Sequence, residues 1–397
     1  MIRRDDRFQR NESGELVERD RAAMGSLKDL LGGMTDEAEL YERLEDGRLL
    51  CYACGHECKI PEGRAGVCRI RCHEGGRLRS PRGYVAGLAC DPIEKKPFYH
   101  AFPGRDALSF GMLGCDLHCS YCQNWITSQA LRDPRAISEA HPIEASELVD
   151  LAVRYDAPVM ASTYNEPLIT SEWAMEVFRL AQRKGLLGAY ISNGNATRGV
   201  LEYIRPHTPL YKVDLKSFQD KAYRSLGGQL PHVLRTIRQL HELGFWLEVV
   251  TLVVPGLNDS DAELGEMAGF LAALSPDIPW HLTAFHADYK MNETDRTEAE
   301  RLTRACEIGA AAGLRYVYAG NLPGRVGAWE NTRCPGCGGT LIERTGHRVT
   351  MNRVHHGRCP DCDRPIPGFW SRDCVVPQAN AGTSAYLEAH PGASVEI

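Results

Sequence analysis

From about Leu108 onward, short runs of β-branched and aromatic residues alternate with stretches whose apolar positions recur every three to four residues. The apolar runs are ALSFGML, APVMASTY, LGAYISN, LYKVDL, FWLEVVTLVV, IPWHLTAF and LRYVYAG. Between them lie amphipathic segments such as SELVDLAVRY, EWAMEVFRLAQRKG, VLRTIRQLHELG and TEAERLTRACEIGAAAG. Several run into a glycine at the helix C-cap position, Gly185, Gly244 and Gly313, where a left-handed backbone suits glycine best. The rhythm is roughly thirty residues, the length of one βαβ unit. Six or so such repeats predict a parallel sheet covered by helices, closed as a barrel or open as an arc. In these architectures chemistry collects at the C-terminal ends of the strands.

The flanks read differently. Residues 1–48 form a charged extension with one predicted helix, near Asp36 to Glu45. Residues 49–104 are rich in Cys, Gly and Arg with little periodicity, which predicts a small metal-stapled module. The α/β barrel takes 105–327, a second cysteine module 328–374, and a small-residue tail without period, expected to be poorly ordered, 375–397. The fold class is therefore α/β: a partial or full parallel (β/α) barrel between two cysteine-rich modules.

Composition narrows the function. A net charge of -6 argues against a nucleic-acid or anionic-membrane surface. No apolar run is long enough to span a bilayer and no secretory signal is visible, so a cytoplasmic setting is expected. Without an export signal, 15 cysteines read as metal ligands rather than disulfides. They fall in three clusters, with Cys90, Cys306 and Cys374 left over as expected buried thiols.

The first cluster is the run GCDLHCSYCQNW, which places Cys115, Cys119 and Cys122 in a C-x3-C-x2-C spacing just after the first barrel strand. In a chain of this cysteine content such a triplet arises by chance on the order of 0.02 times. Three thiolates on one tight loop can hold three irons of a cubane and leave the fourth to a ligand that is not protein, whereas four cysteines suit electron transfer or structure. Three packed thiols or three zinc ligands are the competing reading. Gly114 frees the backbone before the first cysteine, and Tyr121 offers an aromatic face before the last.

Polar residues stand at the strand ends where packing does not ask for them. Thr163-Tyr164-Asn165-Glu166-Pro167 follow the second strand and Ser192-Asn193-Gly194-Asn195 the third. The fourth ends in Asp214-Leu215-Lys216, and the sixth contains His281, with His286, Lys290 and Met291 following. Around a barrel mouth these could hold a zwitterion. Lys216 would meet a carboxylate, and Glu166 or a backbone carbonyl beside it an ammonium. Asn193 and Asp214 suit ribose hydroxyls or an amino-acid end. Each alone is a turn former or helix cap; four at successive strand ends point to a site.

With these motifs the chain resembles the radical S-adenosylmethionine (SAM) enzymes. Within them it is most similar to the AmmeMemoRadiSam-system enzymes, relatives of the pyruvate formate-lyase activating enzymes. The matching stretches are CYACGHECKIPEGRAGVC, SFGMLGCDLHCSYCQNW, TYNEPL, YKVDLKSF, VVTLVVPGLNDS, HLTAFHADYKM and NTRCPGCGG, in order from about Leu50 to Trp370. The resemblance implies that Cys115, Cys119 and Cys122 hold a 4Fe-4S cluster whose open iron binds SAM. It implies that one electron cleaves SAM to methionine and a 5′-deoxyadenosyl radical, which abstracts hydrogen from a substrate. TYNEP stands where these enzymes carry Gly-Gly-Glu, with Tyr164 and Asn165 in place of the glycines. By the same resemblance Asn165, Glu166, Ser192, Asn193, Asp214, Lys216 and His281 contact SAM, and Tyr121 lies near the adenine. An electron donor such as flavodoxin or ferredoxin is implied. The substrate is open: a protein partner of AMMECR or Memo-like type, or a glycyl radical protein served by an activase.

The second cluster, Cys334-x2-Cys337 and Cys359-x2-Cys362, has the spacing of a zinc ribbon with a β-hairpin between two knuckles. The third is Cys51-x2-Cys54-x3-Cys58-x9-Cys68, with Cys72 as a spare and His56 as a substitute ligand. Its spacing accepts zinc or a second iron–sulfur cluster. A different class also remains, a zinc-ribbon interaction protein on a barrel without catalysis.

Overall fold

The structure, a computed structural model, describes residues 31–370 and the backbone pairing of Phe8–Arg10 with Leu16–Glu18. Cys374 and the tail from 375 to 397 lie outside the described residues, as does most of the N-terminal extension before residue 31.

One sheet of eight strands runs in chain order: β1 (Gly87–Pro92), β2 (Asp106–Gly111), β3 (Val159–Ser162), β4 (Leu187–Ser192), β5 (Leu210–Asp214), β6 (Trp246–Val253), β7 (Trp280–Ala284) and β8 (Val317–Gly320). β1 pairs antiparallel with β2, and every later neighbour is parallel. The edges β1 and β8 do not pair, so the sheet is an open arc of a barrel. All seven apolar runs became β2 to β8. β1 was grouped with the Cys-rich module on sequence. The structure moves it into the sheet, where it caps the edge of β2 that would otherwise expose unpaired backbone.

Both faces of the sheet are covered. Leu108, Phe110, Met160, Tyr190, Tyr211, Val213, Val249, Trp280 and Leu282 face the helices. Ala107, Val159, Ala161, Ala189 and Leu210 face inward and pack on Ile93, Phe98 and Ala101, a plug across the barrel. Burial on both faces is why these strands read as continuous apolar runs instead of alternating ones.

The amphipathic segments form helices at Ala145–Arg154, Ser171–Arg183, Leu230–Glu242 and Ala299–Ala311. Gly185, Gly244 and Gly313 take positive φ just beyond three of them. The N–H groups of Leu186, Phe245 and Leu314 reach back to the carbonyls of Ala181, Leu240 and Gly309, the Schellman closure. Asp261–Leu274 is also helical; its sequence, DAELGEMAGFLAAL, spreads small apolar residues around the cylinder and shows no stripe.

The helix expected near Asp36 to Glu45 is not there. Thr35–Glu37 and Tyr41–Arg43 are short strands. Ala38 and Leu40 are buried while Glu37 and Glu39 are exposed, a period of two that long-range pairing with Arg77–Pro81 and Leu49–Cys51 selects. This N-terminal module is clamped to the barrel by Arg71. Its guanidinium donates Nη1 to Glu172 Oε2 (2.7 Å) and Nη2 to Glu172 Oε1 (2.6 Å), both groups well inside the protein. The C-terminal module is a three-stranded sheet, Thr332–Arg333, Thr340–Thr345 and Arg348–Asn352. Among the described residues no helix is long and apolar enough to cross a membrane.

Candidate active site at the barrel mouth

The loop leaving β2 carries Cys115, Cys119 and Cys122 over the C-terminal ends of the strands. Gly111 at the end of β2 has no room for a side chain: a Cβ there would sit 2.3 Å from the Thr163 carbonyl. The three cysteines share one cluster with Leu117, Tyr121, Leu226, Val254, Phe285 and Met291, and among the described residues no fourth cysteine joins it. Cys122 Sγ lies 3.2 Å from Ser128 Oγ. Burial pushes the Cys119 thiol up to about 12 and holds Cys115 and Cys122 above the ordinary thiol range. Thiols so desolvated ionise only when a metal replaces their protons. Three sulfurs on one loop, Cys119 buried and Cys115 and Cys122 half-buried, free of disulfides, fit an iron–sulfur cluster held by three ligands.

Glu166 and Asp116 organise the wall beside them. Glu166 Oε1 accepts from Ser192 Oγ (2.7 Å) and from Leu168 N (3.2 Å), and Oε2 accepts from Asn193 N (2.8 Å). Burial, then the charge of Asp116, pushes Glu166 up to about 8. Both its oxygens are therefore engaged in shaping the loop after β4. Asp116 is fully buried and accepts from Asn193 Nδ2 (2.7 Å) and Asn195 Nδ2 (2.8 Å). Asn193 Nδ2 also stands 3.9 Å from Cys115 Sγ. Asn165 Oδ1 accepts from Met112 N (3.1 Å) and its Nδ2 donates to the Glu166 carbonyl. Tyr164 adopts φ +68, the left-handed region. This is the backbone that glycine takes without cost, so the residue replacing a motif glycine keeps glycine's conformation. Its ring lies over Gly87, with Lys96 Nζ 5.3 Å from the ring centre.

At the end of β5, Asp214 pairs with Lys212 and, at 3.1 Å, with Lys216. Burial works against ionisation, but the two ammonium groups hold Asp214 at about 2. Asn258, from PGLNDS, fixes the neighbouring turns by donating to the carbonyls of Lys216 (2.7 Å) and Leu252 (2.8 Å). Met291 packs into the cysteine cluster, Lys290 N donates to the Ser120 carbonyl (2.9 Å), and His286 Nε2 meets Gln123 Nε2 at 2.9 Å. The loop after β7 thus lies across the cysteine loop.

His281 is not part of this group. It is buried in the lower half of β7 with Nε2 2.6 Å from Glu248 Oε2. Glu248 also accepts from the backbone N–H of Tyr99 and His100 and from Trp246 Nε1, each at 3.0 Å. Burial opposes its charge, yet His281 and these donors keep its carboxyl below the usual range. This network holds the barrel floor rather than the mouth. An inward-facing residue on a strand looks alike at either end when only sequence is read. Asp116, Asn258, Ser128 and Lys212 were not picked out as site residues, and Asn195 only as part of the run after the third apolar strand. Asp116 stands inside the cysteine motif, and that adjacency was the one available signal.

The ribbon cysteines come together. Cys334 Sγ lies 3.5 Å from Cys362 Sγ and Cys337 Sγ 3.7 Å from Cys359 Sγ, and all four sulfurs are within 4.8 Å of one another. One ion with bonds of about 2.3 Å in tetrahedral geometry spaces its sulfurs about 3.8 Å apart, so the set fits a single metal. The Thr340–Thr345 and Arg348–Asn352 hairpin lies between the knuckles, as expected. Cys90 and Cys306 are buried thiols, also as expected. Cys51, Cys54 and Cys68 are buried and Cys58 half-buried, beside the Cys115 loop.

A model of the radical SAM superfamily matches residues 111–268, from the end of β2 into the helix Asp261–Leu274. The chain belongs to the radical SAM superfamily. The uncharacterized protein MJ0808 of Methanocaldococcus jannaschii is 35% identical over 334 residues, 83% of this chain and 98% of that protein. The pyruvate formate-lyase-activating enzyme of Clostridium pasteurianum is 22% identical over 206 residues, 47% of this chain and 83% of that enzyme. A solved domain of the pyruvate-formate lyase-activating enzyme of Bacteroides vulgatus is 20% identical, with a TM-score of 0.37, over 41% of this chain and 98% of that one. This radical SAM chain is thus similar to MJ0808 over 83% of its length and to an activase over less than half of it.

Proposed function

We propose that the chain cleaves SAM reductively at the barrel mouth and uses the resulting radical to take hydrogen from a substrate, as an AmmeMemoRadiSam-type enzyme in the cytoplasm. The observation that carries the reading is the trio of buried or half-buried thiols at Cys115, Cys119 and Cys122, without a fourth cysteine in their cluster among the described residues, over a cup of polar strand-end residues. A 4Fe-4S cluster held there supplies the one electron that breaks the S–C5′ bond, giving methionine and a 5′-deoxyadenosyl radical.

The chain's own residues bind and exclude. Lys216, held protonated against burial by Asp214, meets the methionine carboxylate. Asn193, set by Asp116 and by Glu166, presents its amide beside Cys115. Tyr121, Val254, Phe285 and Met291 wall the cysteines with apolar surface, which keeps water from the reacting atoms. Cys334, Cys337, Cys359 and Cys362 hold a structural zinc. A low-potential carrier such as flavodoxin or ferredoxin delivers the electron, and the partner is an AMMECR-type or Memo-like protein.

The second reading is a glycyl-radical-enzyme activase. The activase relatives favour it. Against it, they match less than half of this chain, whereas MJ0808 spans 98% of its own length on it. Anaerobic reconstitution with SAM and dithionite tests the proposal. 5′-Deoxyadenosine should form, and Cys119→Ala should abolish it while zinc content stays. Cleavage that survives Cys119→Ala sinks the reading. Deuterium transfer from a candidate partner into 5′-deoxyadenosine separates the two substrate classes.

A further inference from the structure

The N-terminal cysteines belong to no part of the site above, and their geometry differs from that of the ribbon. Cys51 closes the strand Leu49–Cys51, and its N–H donates to the Cys58 carbonyl (2.9 Å). Cys54 and Cys58 sit on the tight turn between, with Glu57 at φ +43. Gly66 brings the next loop onto Cys58, where a Cβ would lie 3.4 Å from the sulfur, and Val67 N donates to that sulfur at 3.5 Å. Glu57 N donates to the Cys54 carbonyl (3.1 Å), closing the turn that carries Cys54 and Cys58. The four cysteines therefore lie in one knot of chain. Yet among the described residues only the ribbon gathers three or more ligand atoms within 4.8 Å. A single tetrahedral ion needs sulfurs about 3.8 Å apart, the spacing the ribbon has and this set lacks. A cubane places each thiolate on a different iron and so spaces them more widely.

Two further features point the same way. Arg71, wholly buried and paired through Nη1 and Nη2 with Glu172, keeps an Nε with no hydrogen-bond partner. A buried cation suits the net negative charge of a four-thiolate cluster. The module also rests on the Cys115 loop itself. His56 Nε2 is 3.1 Å from the Asp116 carbonyl, Gly55 N donates to the Asn195 carbonyl (2.7 Å), and Arg132 Nη2 donates to the Val67 carbonyl (2.5 Å). A Cβ on Gly114 would lie 3.3 Å from the Cys68 carbonyl.

We propose that Cys51, Cys54, Cys58 and Cys68 hold a second 4Fe-4S cluster, fully ligated by protein, that passes electrons to the cluster at Cys115, Cys119 and Cys122. The relay role rests on the proposed function; the cluster itself does not. In each cycle one electron from a carrier of flavodoxin or ferredoxin class reduces this cluster from the 2+ to the 1+ state. The same electron then moves on to the mouth and restores the 2+ state, with no proton or bond change here.

Metal and sulfide analysis of the anaerobically reconstituted full chain tests it without any assay of activity. The expected content is about eight irons, eight sulfides and one zinc per chain. About four irons with two zincs, or about four irons with one zinc, overturns the proposal. In the Cys115→Ala, Cys119→Ala, Cys122→Ala variant about four irons should remain, with a dithionite-reducible paramagnetic signal; an iron-free variant that still holds its zinc and melts cooperatively overturns it. In the reduced wild type, the paramagnetic resonance spectrum should be broadened by coupling between two neighbouring spins, and the triple variant should lose that broadening. A narrow wild-type spectrum overturns the relay. A wild type that keeps all its iron but does not cleave SAM sinks the proposed function and leaves the second cluster standing.

Discussion

The mouth and the floor of the barrel are both lined with buried polar groups, yet they differ in what those groups lack. At the floor most groups answer another, with Tyr316 Oη and Glu94 Oε2 the exceptions. His100 Nδ1 donates to the Pro367 carbonyl (2.7 Å), and its Nε2 accepts from the Tyr318 hydroxyl (2.6 Å), which meets Thr332 Oγ1 at 2.9 Å. Arg344 Nη1 donates to that same Thr332 oxygen (2.8 Å), and its Nη2 to the Tyr99 carbonyl (2.9 Å). Glu248 collects four donors. The result is a closed network that fastens the plug and the ribbon module to the sheet. At the mouth three thiols stand buried or half-buried with their ionisation suppressed, and Asn195 Oδ1 has no partner. A saturated network holds a fold; an unsaturated one of soft ligands is where something else binds.

The comparison can be broken at either end. The largest effect is expected at the floor. Glu248→Ala leaves four buried donors without an acceptor and should cost about 3–5 kcal/mol of stability, read as a lower urea midpoint. A loss below 1 kcal/mol would show the network to be incidental. Next comes pH. Burial lowers His100 from its usual 6.5 to about 4. A group harder to protonate when folded contributes stability that is full above pH 6.5 and is lost as pH falls toward 4. The loss should reach about 3 kcal/mol. Melting curves of the wild type should therefore fall more steeply over that window than those of His100→Gln; parallel curves would count against the neutral, doubly bonded imidazole.

Smaller effects should appear at the mouth. Lys216→Gln removes a charge that is partly open to solvent, so the melting temperature should barely move. The efficiency of SAM cleavage should drop on the order of tenfold, about 1.4 kcal/mol. An unchanged rate would remove Lys216 from the site. Smallest is Thr332→Val, which takes from Arg344 and Tyr318 one shared oxygen and should cost about 1 kcal/mol, with SAM cleavage at its wild-type rate. A loss of cleavage from that change would mean the two ends are coupled and the contrast between them is wrong.

Much of this was legible in the chain. The seven parallel strands, four of the helices, the three glycine caps, the ribbon's hairpin and the cysteine triplet all follow from periods and spacings within a few residues. Those signals are local because backbone period and loop length fix them. The mistaken or missing parts share another property. The 36–45 segment became strands because Arg77–Pro81, some forty residues on, and the nearby Leu49–Cys51 offered pairing. Whether an inward residue such as His281 serves the mouth or the floor depends on Glu248 across the sheet. That Glu166 also braces Ser192 and Asn193, 26 and 27 residues away, could not be read from the chain.

The sequence by itself determined the α/β rhythm, the family-bearing loop and the four-cysteine ribbon, since each is written in side chains close together on the chain. Only the tertiary structure decided which buried polar groups are already satisfied. Arg71 with Glu172 spans 101 residues and His100 with Pro367 spans 267. Such pairs exist only once the whole chain has packed and water has been excluded, because desolvation is what makes an unanswered donor or thiol costly.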